Sequence, residues 1–233
     1  MKKENSKKHG FTLAEILITL TVIGVVAALT IPTLLQNTNQ AELKTAWKRS
    51  FADVSQASRL IANDQGGALG GTFGSILNDQ ARNDFKNFFR NKLSYIKDCP
   101  ASTSTECWHQ TNNWFNLSGA KKGGTYWQTK PGLILSNGDL VGFDSFSLGC
   151  NATYTPNSDA CAEITVDING FKPPNTIGKD IFSVWVLNNG NIIPFGTQGD
   201  RNSNPTGGYY TPCDLSLNPN SSGQNCSADY LYQ

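Results

Sequence analysis

The sequence predicts an α+β fold. One long N-terminal helix, apolar enough over its first half to span a membrane, packs on an antiparallel β-sheet with a disulfide-tied C-terminal loop region. Three observations carry that expectation. Phe11 to Ile31 is a 21-residue apolar stretch whose only charge is Glu15. Beyond it, apolar residues recur at helical spacing to about Asn63. After Cys99 the chain turns to Asn, Thr, Ser, Gly and aromatic residues, with two hairpin signals and six cysteines in three local pairs. At 38% hydrophobic and 16% charged, with 22 glycines, the chain has the apolar content of a folded protein and not of a disordered one.

The first ten residues, MKKENSKKHG, carry four lysines and one glutamate. The apolar stretch that follows is roughly 32 Å long as a helix, enough to cross a hydrocarbon core of about 30 Å. Lysines on its amino side are expected to stay in the cytoplasm and to send the remainder across the membrane. An ordinary secretory signal peptide is the competing reading, because Val26 and Ala28 could form a small-residue cleavage site before Leu29. Glu15 argues against it. A carboxylate inside the apolar segment costs about 2.5 to 3.5 kcal/mol on insertion scales, so it marks function by default.

Gly10-Phe11-Thr12-Leu13-Ala14-Glu15, followed by the apolar helix, resembles the processing motif of type IV prepilins and type II secretion pseudopilins. The resemblance runs from Lys7 to about Leu35, and Pro32 falls where many of these proteins place a proline. It implies cleavage after Gly10 by a prepilin peptidase and methylation of the new Phe11 amine. It implies that the helix anchors the subunit in the inner membrane as a single pass, N-terminus in the cytoplasm, until an assembly platform moves it into a filament beside other pilin or pseudopilin subunits. In such a bundle, pairing of Glu15 with a neighbouring Phe11 amine would compensate both charges and set the register of subunit addition. The ectodomain would be periplasmic or extracellular.

Pro32 cannot donate a backbone hydrogen bond and is expected to kink or locally open the helix. Leu43, Trp47, Phe51, Val54 and Ile61 then form an amphipathic stripe suited to packing on a sheet, with a coiled-coil partner as the alternative use. Gln65-Gly66-Gly67 ends the helix. The expected divisions are therefore a leader over 1–10, a membrane or filament-core helix over 11–31, an amphipathic extension over 32–65 and an ectodomain over 66–233. Gly66 to Gly74 reads as a flexible connector, and Ser75 to about Ile96 as a helix capped by Ser75. Gly132 to Asp144 holds an Asn137-Gly138 hairpin signal, Ala162 to Ile168 reads as a strand, and Asp180 to Phe195 as a second hairpin around Asn188 to Asn191. The stretch from Val166 to Gly196 also resembles ectodomain segments of some prepilin-like proteins. Residues 198–233 are polar and turn-rich and read as loop.

The cysteines group as Cys99 with Cys107, Cys150 with Cys161 and Cys213 with Cys226. Local pairing is favoured because each pair brackets a turn-rich loop, although sequence alone leaves the connectivity open. Disulfides place this part of the chain outside the reducing cytoplasm. The last pair resembles the disulfide-bounded terminal loop of many pilins.

Chemistry beyond assembly finds little material. Asp167-Ile168-Asn169-Gly170 with Asp180 could offer oxygens to calcium, as sheet-side loops of some secretion pseudopilins do, but no acidic residue closes the set and a turn is the better reading. No metal or other cofactor is expected. No Gly-x-Ser-x-Gly occurs, no phosphate-binding loop follows the glycine run, and His109 is the only histidine left after cleavage, so no catalytic residue is assigned and an enzyme is not expected. Trp108, Trp114, Phe115, Tyr126 and Trp127 could stack on sugars or bases, with core packing as the default. The whole chain carries a net charge of +1, and losing residues 1–10 brings it to about −2, which argues against nucleic acid unless Lys121 and Lys122 cluster. The function expected is a structural filament subunit, minor or specialised given the large ectodomain. A membrane-anchored binding module for glycans or surfaces that never polymerises is the alternative.

Overall fold

The computed structural model describes residues 11–72, 78–101, 106–123, 126–145, 147–155, 157, 159–198 and 212–232. The chain divides into two compact units, Met1–Glu42 and Leu43–Gln233. Helix α1 covers Leu13–Asp64 and contains Pro32. Since proline has no amide hydrogen, the Ala28 carbonyl receives no bond from it. The helix stops where Gln65, Gly66 and Gly67 turn the chain, with the Gly67 amide donating to the Ala62 carbonyl at 2.8 Å.

In the second unit a six-stranded antiparallel sheet runs in simple sequential order. Its strands are β1 (Tyr95–Cys99), β2 (Gly132–Leu135), β3 (Leu140–Ser145), β4 (Ala160–Asp167), β5 (Ile181–Leu187) and β6 (Ile192–Pro194). Both expected hairpins are present, β2–β3 around Asn137-Gly138 and β5–β6 around Asn188 to Asn191. Strands β4 and β5 are buried along their whole length. Their β-branched and aromatic residues suit a central position covered on both sides.

One face of the sheet carries Val141, Phe143, Ile164, Val166, Phe182 and Val184. It packs against the α1 stripe, where Trp47, Val54, Ala57 and Ile61 are almost fully buried. Trp47 stacks on Phe182 with ring centroids 4.7 Å apart, and its indole donates to the Ser227 carbonyl at 3.0 Å. Ser50, on the same stripe, donates to the Asp139 carboxylate at the β2–β3 turn. The other face carries Leu140 and Ile181 and is covered by Trp108, Trp114 and Trp127 from the long β1–β2 connection. Most of the aromatic-rich region is therefore core. Tyr126 stays 45% exposed and Phe115 half-buried.

Three expectations are corrected. The second helix, α2, covers only Asp79–Arg90, with Asn78 as its cap accepting from the Ala81 amide at 2.9 Å. Ser75 lies outside the described residues. Leu93 continues the apolar spacing of Phe85 and Phe89 and still donates to the Phe89 carbonyl, which is why the pattern reads on as helix. Past it, Tyr95 to Cys99 pair with β2 as an edge strand. Lys86 and Arg90 of α2 meet Asp98 of that strand, and Arg82 meets Asp144 of β3 at 2.6 Å.

The connector after α1 is docked over its described part. Leu69 is buried, and Leu69 and Gly70 donate to the Asn188 side chain at 3.1 and 2.9 Å. Finally, the C-terminal loop region includes a short helix, α3 (Cys226–Tyr232). Disulfides join Cys99 to Cys107, Cys150 to Cys161 and Cys213 to Cys226, the last tying the loop to the start of α3.

Candidate functional site

Two places carry the residues singled out by sequence. The first is the amino end of α1. Gly10 lies outside the described residues. Phe11 is 85% exposed, and Leu13, Leu17, Ile18, Leu20, Ile23, Val25 and Leu29 are exposed all round the helix. The span Leu13–Pro32 is long and apolar enough to cross a membrane, and none of it is buried by the chain itself. An apolar surface that continuous needs a cover of lipid or of other chains.

The threonine hydroxyls of this segment are satisfied internally, as hydrocarbon surroundings require. The hydroxyls of Thr19, Thr21 and Thr30 donate to the carbonyls of Glu15, Leu17 and Val26 at 2.9, 2.7 and 2.9 Å. At the first turn, Glu15 Oε2 accepts from the Thr12 amide and the Thr12 hydroxyl, both at 2.8 Å. The Glu15 amide in turn donates to Thr12 Oγ1 at 3.3 Å. This is a reciprocal capping box. Its signature, Thr-x-x-Glu, stands in the sequence at 12–15, so Thr12 was legible there as the partner of Glu15.

The second place is the turn after β4. Asp167 and Asp180 are completely buried, and their oxygens are already used. Asp167 bonds His109 Nε2 at 2.7 Å and accepts from the Asn169 amide at 3.1 Å. Asp180 accepts from the Asn175 and Thr176 amides at 2.7 and 2.6 Å. Burial, with Asp180 nearby, pushes the Asp167 carboxyl well above the usual carboxylate range, and burial pushes the His109 imidazole down to about 4. Among the described residues no three His, Cys, Asp or Glu side chains group as a metal site. The Asp167 turn is structural in this geometry, and His109 is a core group that pins the segment after Cys107 to β4.

Lys121 and Lys122 build no basic patch. Lys121 is exposed, while Lys122 lies over the Trp114 ring with burial lowering its pKa.

A family model described as the prokaryotic N-terminal methylation motif matches residues 5–31. No curated protein and no solved structure matched the chain. Everything beyond Ile31 lies outside the matched family model, and pilins and pseudopilins are structural proteins, not enzymes. On the matched motif, with an apolar helix that the chain leaves wholly uncovered and Glu15 in its first turn, this chain carries the prepilin-type cleavage and methylation motif of type IV pilins and pseudopilins.

Proposed function

We propose that the chain is a minor or specialised subunit of a type IV pilus-like or type II secretion pseudopilus filament. Residues 1–10 are the leader, removed after Gly10 by a prepilin peptidase, with Phe11 becoming the methylated N-terminus. Residues 11–31 hold the subunit in the inner membrane, leader side in the cytoplasm, until the assembly platform draws it among other subunits. The amphipathic extension to residue 65 and the ectodomain to residue 233 then lie outside that membrane.

The observation that supports this reading most is the helix itself. Its apolar surface is exposed on every side, its threonines satisfy their own hydroxyls, and one carboxylate stands in its first turn. Lipid can cover such a helix but offers Glu15 no counter-charge. A neighbouring subunit's Phe11 amine does, and pairing them offsets the cost of burying either alone.

The test is Glu15→Gln in the native host, reading processed protein in membranes and protein in sheared filaments together. Insertion becomes easier by about 2 kcal/mol without the charge, and the mature protein is expected to start at Phe11 as in wild type. An amine buried without its partner then costs about 3 to 5 kcal/mol. Processed monomer accumulates and filaments lose the subunit. A variant that reaches filaments as well as wild type removes the assembly role and favours the anchored binding module. A mature start at Leu29 in the wild-type protein overturns the processing step.

A further inference from the structure

On the side of the sheet away from α1, the segment after Cys107, the loop around Asn112 and the turn after β4 enclose an open cleft of about 810 Å³. We propose that this cleft binds a short neutral oligosaccharide. The inference is independent of the filament reading, since it concerns residues far along the chain from the matched motif.

Its lining combines rings with amides. Phe171 is 53% exposed on a polar turn, its ring set edge-on to His109 at 5.5 Å between centroids. Half-buried Phe115 lies on the wall beside it. An aromatic ring left this open offers an apolar surface on which a pyranose C–H face can stack. Around the rings stand the exposed amides of Gln110, Asn112 and Asn113. Each amide both donates and accepts, as a sugar hydroxyl does.

Charge selects the ligand class. Glu106 is engaged by Lys97 at 2.6 Å, His109 is uncharged near neutral pH, and Lys121 is the one remaining cation among the described residues that line the cleft. That is too little for a phosphate backbone or an acidic peptide. The volume falls within the range of built small-ligand sites.

The walls are held in place before any ligand arrives. The Cys99–Cys107 disulfide precedes Trp108 and His109, and the buried His109–Asp167 bond fixes the floor. Across the cleft, the Phe115 amide donates to the Asn175 carbonyl at 2.8 Å, and the Asn175 side chain donates to the Asn113 carbonyl at 3.2 Å. Fixed walls reduce what binding must spend on ordering them.

The test uses the full chain in a detergent without a sugar headgroup. Chitohexaose, cellohexaose and maltohexaose are added in turn and followed by saturation-transfer NMR and titration calorimetry. At least one is expected to bind, with an affinity that does not fall from low to high salt. Phe171→Ala should weaken it about tenfold without lowering the melting temperature, because the ring is exposed. Asn113→Ala should weaken it as well, whereas Lys48→Ala, exposed on α1, leaves it unchanged.

Absence of binding by all three at millimolar concentration overturns the proposal. So does binding that ignores Phe171→Ala and Asn113→Ala. Salt-sensitive binding of a single-stranded DNA 20-mer at the same residues would reassign the cleft to nucleic acid. Loss of the Phe171→Ala subunit from filaments without any sugar binding would reassign it to a subunit contact.

Discussion

Gly190 sits in the β5–β6 turn, where the sheet meets α1, and replacing it with alanine tests that docking directly. Its φ is +77°, a conformation that costs an L-residue roughly 1 to 2 kcal/mol. A Cβ there would also stand 2.5 Å from Ala62 Cβ and 2.9 Å from the Ser58 carbonyl oxygen, both on α1. Neither can swing away, because one is a methyl fixed to the helix and the other is backbone. Overpacking of this kind costs about 1 to 3 kcal/mol, so Gly190→Ala should cost about 2 to 5 kcal/mol in all.

Gly138 in the β2–β3 turn is the internal control. Its φ is +94°, but an added Cβ meets nothing within 4 Å. Gly138→Ala should therefore cost only the conformational part, about 1 to 2 kcal/mol. Urea unfolding of the detergent-solubilised full chain reports both, read by tryptophan fluorescence, since all five tryptophans are buried. Ala62→Gly in the Gly190→Ala background supplies a double-mutant cycle. Its favourable coupling isolates the clash from the helix penalty of about 1 kcal/mol for the new glycine. Equal costs at Gly190 and Gly138, with no coupling to Ala62, would refute the close approach of turn and helix.

Trp47→Ala should cost about 3 to 5 kcal/mol by loss of its packing, while Trp47→Phe keeps the stack on Phe182 and loses mainly the bond to the Ser227 carbonyl, about 1 to 2 kcal/mol. Urea midpoints separate the two, and similar costs for both would show that the indole hydrogen bond, not the ring stack, carries the contact.

The His109–Asp167 pair predicts a pH profile. Unfolded, His109 loses its proton near 6.5 and Asp167 near 3.8; folded, His109 is lowered to about 4 and Asp167 is raised. The two contributions oppose one another: the raised Asp167 stabilises most at low pH and loses that stabilisation as pH rises through its folded value, whereas the lowered His109 contributes stability above 6.5 that is lost as pH falls toward 4. Asp167→Asn should remove the first contribution and leave the second, so that the variant loses stability relative to its neutral-pH value more steeply than wild type as pH drops from 6.5 toward 4. Unfolding midpoints across this range check it, and parallel curves for variant and wild type would show that folding does not shift the Asp167 carboxyl.

The parts of the fold that could be read from sequence are those fixed by local signals. The apolar span, the stripe from Leu43 to Ile61, the glycine stop after Asp64 and the Asn137-Gly138 turn each depend on neighbours in the chain. The parts that could not depend on distant contacts. Leu93 extends the spacing of Phe85 and Phe89, so only the pairing of Tyr95–Cys99 with β2 reveals where α2 ends. The glycine-rich connector looks free until Asn188, far along the chain, takes its amides. The cleft was legible only as a run of aromatic residues. Its floor needs His109 from one loop and Asp167 from a strand, and its exposed ring, Phe171, stands outside the run. At the amino end of α1 the lone carboxylate stands out from composition alone, whereas its capping box with Thr12 lies in the Thr-x-x-Glu spacing at 12–15.

That capping box bears on why a glutamate suits the proposed pairing. Both bonds from Thr12 end on one oxygen, Oε2. Among the described residues Oε1 takes none, so the carboxylate can close its own helix end and still present an oxygen outward. A carboxylate has room for about four acceptor bonds, and a neighbour's amine need not compete with the cap. The cap also fixes the carboxylate on the first turn before assembly, which lowers the ordering cost when the amine arrives. Glutamine keeps the acceptor for Thr12 and loses the charge, so Glu15→Gln separates the two roles: the helix end survives and the pairing does not. An aspartate, one methylene shorter, would keep the charge but not reach both Thr12 groups in the same geometry. On this reading the residue serves the subunit alone through one oxygen and the filament through the other.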